Sequence, residues 1–219
     1  MHPGHEGGTR RKAAEMTDRG TPAEAAPVDD AADTVTTRQH MSSRQQATVQ
    51  SLLDAAESVL RERGYEDLTL RLVATEAGLT HTTAYTYFSS KAHLVAEVFW
   101  RRLRQIPHPT RSVGASLPER VDAALRDPGL ALSDEPDLAQ AALAALLTTD
   151  PDAQRVRDRI GLDLAARLNT AFGDDVDPRI AEALLLTFSG AMLQAGMGYF
   201  DFDGVVSRVR SAARLMGET

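Results

Sequence analysis

The sequence predicts an all-α protein: an N-terminal three-helix module on a larger helical domain. Apolar residues recur at three- and four-residue spacing through most of residues 45–216, and no alternating run of strand length appears. Proline falls at 107, 109, 118, 128, 136, 151 and 178, dividing the later part of the chain into helix-sized pieces. The stretch 68–94, LTLRLVATEAGLTHTTAYTYFSSKAHL, reads as two short helices joined by a tight turn.

Each element has a local reason. Residues 1–42 are rich in Gly, Pro, Ala, Thr and Asp without a sustained apolar period, the composition of a disordered tail. That tail holds a short basic cluster, Arg10-Arg11-Lys12, while His2 and His5 are too isolated to hold a metal. The first helix, over 45–63, places Val49, Leu52, Leu53, Ala56, Val59 and Leu60 on one face and stops at Gly64. Thr69 is set to cap a second helix over 70–77, whose Leu70, Val73, Ala74 and Ala77 share an inward face. Gly78 follows, where a left-handed residue commonly ends a helix. Leu79 then plugs the core, and Thr80 caps a third helix over 81–88. On that helix Ala84 and Phe88 point inward, leaving His81, Thr82, Thr83, Tyr85 and Tyr87 outward. Ser89 or Ser90 caps a helix over 91–106. Further helices are expected over 117–126, 136–148, 153–172, 178–200 and 204–216, with Pro151 and Pro178 near helix starts, where proline is favoured.

Two helices around a glycine turn could be a plain helical hairpin. Here the turn sits in a three-helix unit, and the outer face of its last helix is hydroxyl-rich and aromatic. Such a face suits phosphates, base edges and thymine methyls, and marks a helix-turn-helix that enters the DNA major groove.

The run 47–99 resembles the DNA-binding region of the tetracycline-repressor (TetR) family of bacterial regulators. The likeness rests on Arg63-Gly64-Tyr65, Leu68-Thr69-Leu70-Arg71, Val73-Ala74 and Glu76-Ala77-Gly78-Leu79. It continues through Thr83-Ala84-Tyr85 and Tyr87-Phe88 to Ser90-Lys91 and Leu94. The resemblance implies domains at 43–92, for DNA binding, and 93–219, for effector binding and dimerisation. It implies that Thr69 and Arg71 contact phosphate and sometimes a base. It also implies that Thr80, His81, Thr82 and Thr83 lead the recognition helix into the bases. Tyr85 and Tyr87, with Thr86 between them, would hold the sugar-phosphate backbone, and Lys91 would meet a phosphate.

For the larger domain the family implies a dimer built from the last two long helices, and a double-stranded palindromic operator as partner. A dimer is also what half-sites in successive major grooves require. Leu184, Ala191, Ala195, Tyr199, Val205, Val209 and Ala212 are the candidate interface residues, with Gly190, Gly196 and Gly198 allowing close helix approach. The family also implies a small-molecule effector, whose identity the sequence does not give. Candidate lining residues are Phe99, Trp100, Leu103, Leu143, Leu147, Phe188, Met192, Gln194 and Met197. The near absence of charge in this set points to a mainly apolar ligand, with Gln194 as the polar exception that would orient it.

Charge is distributed to match. The chain carries −7 overall, yet residues 38–104 hold nine basic and seven acidic side chains, against four and seven before them and eleven and seventeen after. With no cysteine, the chain has neither disulfides nor thiolate metal sites. No apolar run reaches membrane-spanning length and no signal-peptide core opens the chain, so a cytoplasmic, nucleoid-associated bacterial protein is expected. There is no nucleophile elbow, P-loop or His-Glu-x-x-His, and Gly196-Met197-Gly198 lies inside a helix rather than after a strand. We therefore expect no enzyme, no catalytic residue, no metal and no cofactor. The expected function is a ligand-released dimeric repressor; the alternatives are a helical adaptor or a ligand-responsive activator of the same architecture.

Overall fold

Helix α1 (Ser43–Asp67) starts at a capping box: Ser42 Oγ accepts from the Gln45 amide at 3.3 Å, and the Gln45 side chain accepts from the Ser42 amide at 2.8 Å. The computed structural model describes residues 42–111 and 113–217, so the expected tail, with Arg10-Arg11-Lys12 and the two histidines, lies outside the described residues. α1 does not stop at Gly64 as predicted. Gly64 takes φ 74°, a left-handed value that kinks the chain, and one more turn follows before Leu68.

Threonine and serine caps set the next three starts. The Thr69 hydroxyl accepts from the Leu72 amide at 3.1 Å and opens α2 (Leu70–Glu76). Thr80 accepts from the Thr83 amide at 3.2 Å and opens α3 (His81–Tyr87). Of the two serines proposed for the fourth start, Ser90 is the cap, accepting from the His93 amide at 3.0 Å at the head of α4 (Lys91–Gln105). Between α2 and α3, Gly78 sits at φ 67° and the Leu79 amide returns to the Ala74 carbonyl at 2.8 Å, closing the turn. Leu52, Leu60, Leu68, Val73, Ala74, Ala84 and Leu94 are all but fully buried where these helices meet.

The remaining helices are α5 (Leu117–Leu130), α6 (Pro136–Leu146), α7 (Pro151–Phe172), α8 (Pro178–Gly196) and α9 (Asp203–Gly217), with a 3₁₀ turn at Gly173–Asp175. No strand occurs among the described residues. α5 runs four residues past its predicted end, through Pro128, whose ring is buried. That proline forfeits one helical hydrogen bond, a loss set against burial of its ring in the core. α8 is shorter than predicted and ends at Gly196, where a Cβ would stand 2.2 Å from Leu143 Cδ1, so a side chain there would have to displace the Leu143 tip. The same reason does not hold at Gly190 and Gly198, where a Cβ would meet nothing within 4 Å.

α4 is the central strut. It packs on α1 towards the helix-turn-helix and on α6 and α7 towards the rest of the fold. α1 also packs directly on α6, so the boundary expected near residue 92 is a packed seam rather than a linker.

Candidate DNA interface and effector cavity

The outer surface of α3 is built from side chains the core does not need. His81, Thr82, Tyr85 and Thr86 are exposed, with Tyr85 at 57%, while Ala84 beneath them is buried and fixes which face turns out. Thr80 and Thr83 share a hydroxyl–hydroxyl hydrogen bond of 2.9 Å, and the Thr86 hydroxyl donates to the Thr82 carbonyl at 2.9 Å. Those hydroxyls keep lone pairs but are oriented by the protein. Tyr87 is half-buried against the core, and Arg71 on α2 is exposed beside the turn. Of the expected DNA-facing residues, His81, Thr82, Tyr85 and Thr86 are exposed on α3, Thr69 and Thr80 serve as caps, and Tyr87 is half-buried.

Lys91 is committed inward. Its Nζ donates to the Tyr65 carbonyl at 3.0 Å and the Glu66 carbonyl at 3.4 Å, and lies 4.2 Å from the centre of the Tyr65 ring. The sequence reading made it a phosphate ligand; here it satisfies carbonyls freed at the Gly64 kink, tying α4 to the end of α1. Next to it, His93 lies edge-on to Phe88 and accepts from the Ser89 amide at 3.3 Å, joining α4 to the end of α3.

An ion-pair network crosses the seam between α1, α4 and α6. Glu57 on α1 accepts from Arg101 at 2.8 Å, Arg102 at 3.2 Å and Arg61 at 3.1 Å. Glu135, which precedes α6, accepts from Arg61 at 2.6 Å and pairs with Arg102 at 2.6 Å, while Asp54 takes the other arm of Arg101 at 2.5 Å. Burial raises the pKa of the Glu57 carboxyl, but hydrogen bonds from Arg102 and Arg101 outweigh it and hold the group below the usual glutamate range. The Arg61 hydrogen bond lowers the Glu135 carboxyl in the same way, against a smaller burial effect. Nothing in the sequence flags this network, because its partners lie as far as 74 residues apart.

Beyond the seam, α4, α6, α7 and α8 enclose a cavity of about 480 Å³, within the usual range for small-molecule sites. Six expected residues line it: Phe99, Leu103, Leu143, Leu147, Phe188 and Met192. Three do not. Trp100 faces Arg159, whose guanidinium carbon is 5.7 Å from the ring centre, and Gln194 and Met197 are exposed to solvent. Met197 stands past the end of α8, and Gln194, one turn from the lining Gly190, is exposed rather than part of the wall. Residues the sequence reading did not select also contribute, among them Ile160, Leu164 and Arg157 of α7.

Arg167 of α7 is the one buried charged side chain among the described residues, at 1% exposure. Its guanidinium donates to the carbonyls of Pro107 at 2.8 Å, Ile106 at 2.8 Å and Leu103 at 3.3 Å, capping the end of α4 with a positive charge. Its Nε donates to Asp163 at 2.7 Å, and Asp163 also meets His108 at 2.9 Å. α7 thus holds the far end of α4 while its Ile160 and Leu164 line the cavity.

The expected dimer residues divide. Leu184, Ala191, Ala195, Val205 and Val209 are buried inside the protomer, at 7% exposure or less, and have no surface left for a second copy. Ala212 is half-buried and Tyr199 is 76% exposed. Outside the core, Leu186 of α8 and Met197 just past its end are exposed, while Leu193 and Gly190 are half-buried; Leu186, Gly190 and Leu193 also line the cavity. The most apolar positions of this two-sided helix serve its own core.

Among the described residues no group of three or more His, Asp or Glu side chains is placed to hold a metal, and no helix is long and apolar enough to cross a membrane. Fold and surface together define a helix-turn-helix transcriptional regulator. Residues 52–98 match the profile of the bacterial regulatory proteins, tetR family. The chain is 46% identical over 168 residues to the HTH-type transcriptional regulator Rv0767c of Mycobacterium tuberculosis, covering 76% of this chain and 78% of that one. It is 30% identical over 128 residues to the transcriptional repressor KstR of Rhodococcus jostii, covering 58% and 60%. A TetR regulator from Rhodococcus sp. RHA1 shares the fold with a TM-score of 0.64 at 23% identity, covering 80% of this chain and 97% of that one. The chain belongs to the TetR family of bacterial regulators. These relatives are transcriptional regulators, not enzymes.

Proposed function

We propose that this protein is a homodimeric repressor that a small, mainly apolar effector releases from a palindromic operator. One observation carries the coupling: α4 begins at the turn after the recognition helix, and its Phe99 and Leu103 form part of the cavity wall. An effector that binds the cavity better in one setting of α4 than in another shifts the population between them. The likeness to KstR supports repression. In this reading 43–92 is the DNA-reading part, and Arg71, His81, Thr82 and Tyr85 make the principal contacts. The remainder, 93–219, holds the effector and the dimer contact, with the exposed Met197 and Tyr199 past the end of α8 facing the second copy.

The test is fluorescence anisotropy of the full chain on DNA tiled from upstream of its own gene, at two salt concentrations. Saturable binding to one near-palindromic tile that survives competitor DNA is the expected result. Weak binding to every tile that vanishes with salt would leave only electrostatic contact and defeat the proposal.

A further inference from the structure

We propose that the cavity takes an amphiphile with a single anionic head group, and that Arg157 receives that head. This deepens the reading of the cavity as the effector site and rests on it. Arg157 is the one ionisable side chain among the lining residues. It is also the exception on its own helix. Of the four arginines of α7, Arg155 pairs with Asp152, Arg159 with Glu97 and Arg167 with Asp163. Arg157 has no carboxylate partner among the described residues. Its Nη1 donates to the Leu146 carbonyl at 2.8 Å, which holds the side chain at the end of α6 and leaves Nε and Nη2 to donate elsewhere.

The surroundings leave room for such a head. Gly161, one turn further along α7 on the same face, also lines the cavity, and a Cβ there would meet nothing within 4 Å. Glycine inside a helix is unfavourable relative to alanine, and no close helix approach accounts for it here. It keeps open space on the cavity wall one turn along α7 from Arg157. Arg157 is exposed, so it stays hydrated when the cavity is empty and no charge is stranded in an apolar site. An apolar body would fill the interior between Phe99, Leu103, Leu164 and Phe188, and the anion would stop at the rim.

The test uses three probes with the same chain and different heads: dodecanoate, dodecanol and dodecylamine, titrated below micelle-forming concentrations into the full-length protein by calorimetry. We expect dodecanoate to bind at least about tenfold tighter than dodecanol, the scale of one charge-assisted hydrogen bond at a solvated rim, and dodecylamine to bind most weakly. Arg157→Gln should bring dodecanoate down to the level of dodecanol, and Arg157→Lys should retain part of the preference. Gly161→Leu, which fills open space in the cavity wall, should weaken all three probes. Equal affinities in the wild-type protein, or a dodecanoate preference that survives Arg157→Gln, would overturn the proposal while leaving the cavity as a ligand site. Failure of all three probes to bind would overturn the cavity reading itself, and this proposal with it.

Discussion

Replacing Arg167 with methionine removes a buried cation and leaves its partners in place. The Leu103, Ile106 and Pro107 carbonyls lose their donor, and the Asp163 carboxylate loses the contact at 2.7 Å. Breaking a buried pair by deleting one partner costs about 3–5 kcal/mol, because the other charge stays buried. Two features put this case at the lower end. Asp163 keeps its contact with His108, and its side chain is 12% exposed. We therefore expect Arg167→Met to lose about 3 kcal/mol, a drop in Tm on the order of 10 °C for a chain of this size. Urea unfolding followed by circular dichroism measures it. The companion Asp163→Leu change, made in the Arg167→Met background, should recover part of the loss by removing the stranded carboxylate. A single-variant loss below about 1 kcal/mol, on the scale of an ordinary surface change, would refute the claim that Arg167 anchors the end of α4.

Other outcomes follow from the same geometry. Gly78→Ala should cost about 1–2 kcal/mol in urea unfolding, since φ 67° strains any other residue; because a Cβ would meet nothing within 4 Å, a much larger loss would contradict a purely conformational cost. Tyr85→Ala should weaken operator binding severalfold at each of several salt concentrations, the scale of one net hydrogen bond; unchanged affinity would remove Tyr85 from the interface. Met197→Glu should shift the protein to monomer in analytical ultracentrifugation, whereas an unaltered dimer would place the interface elsewhere. Glu57 and Glu135 have lowered pKa values, so their contribution to stability is fully present above the ordinary glutamate value of 4.5 and is lost as pH falls through the folded value. The stability difference between the wild type and a Glu57→Gln, Glu135→Gln double variant should thus be constant from neutral pH to about pH 5 and shrink below that; a gap that persists in acid would mean the carboxylates act through packing alone.

The helix-turn-helix was legible because its determinants are local. Thr69, Thr80 and Ser90 cap within three residues, Gly78 bends the turn by itself, and Ala84 sets the outward face of α3. The cavity was partly legible: helical period placed Phe99, Leu103, Phe188 and Met192 inward. What the sequence hid depends on distant partners. Lys91 reads as a solvated cation until the Gly64 kink turns two carbonyls towards it. Arg167 reads as an ordinary charge on a helix face until the end of α4 arrives 60 residues away. Leu184 and Val209, chosen as interface candidates for their apolar character, are buried in their own protomer, a distinction that periodicity does not encode.

The charged seam between α1, α4 and α6 also has a bearing on how the protein responds over time. Contacts of 2.5–3.2 Å tolerate little stretching, so a shift of an ångström or two breaks several of them together. Because Glu57 is shared by three arginines and Glu135 by two, the seam holds or yields as a unit. On the proposed effector mechanism, the helix-turn-helix would behave less like a dial than like a relay, with two rest positions and a threshold between them. A graded rise in effector would change how many molecules have switched, not how far each one has moved.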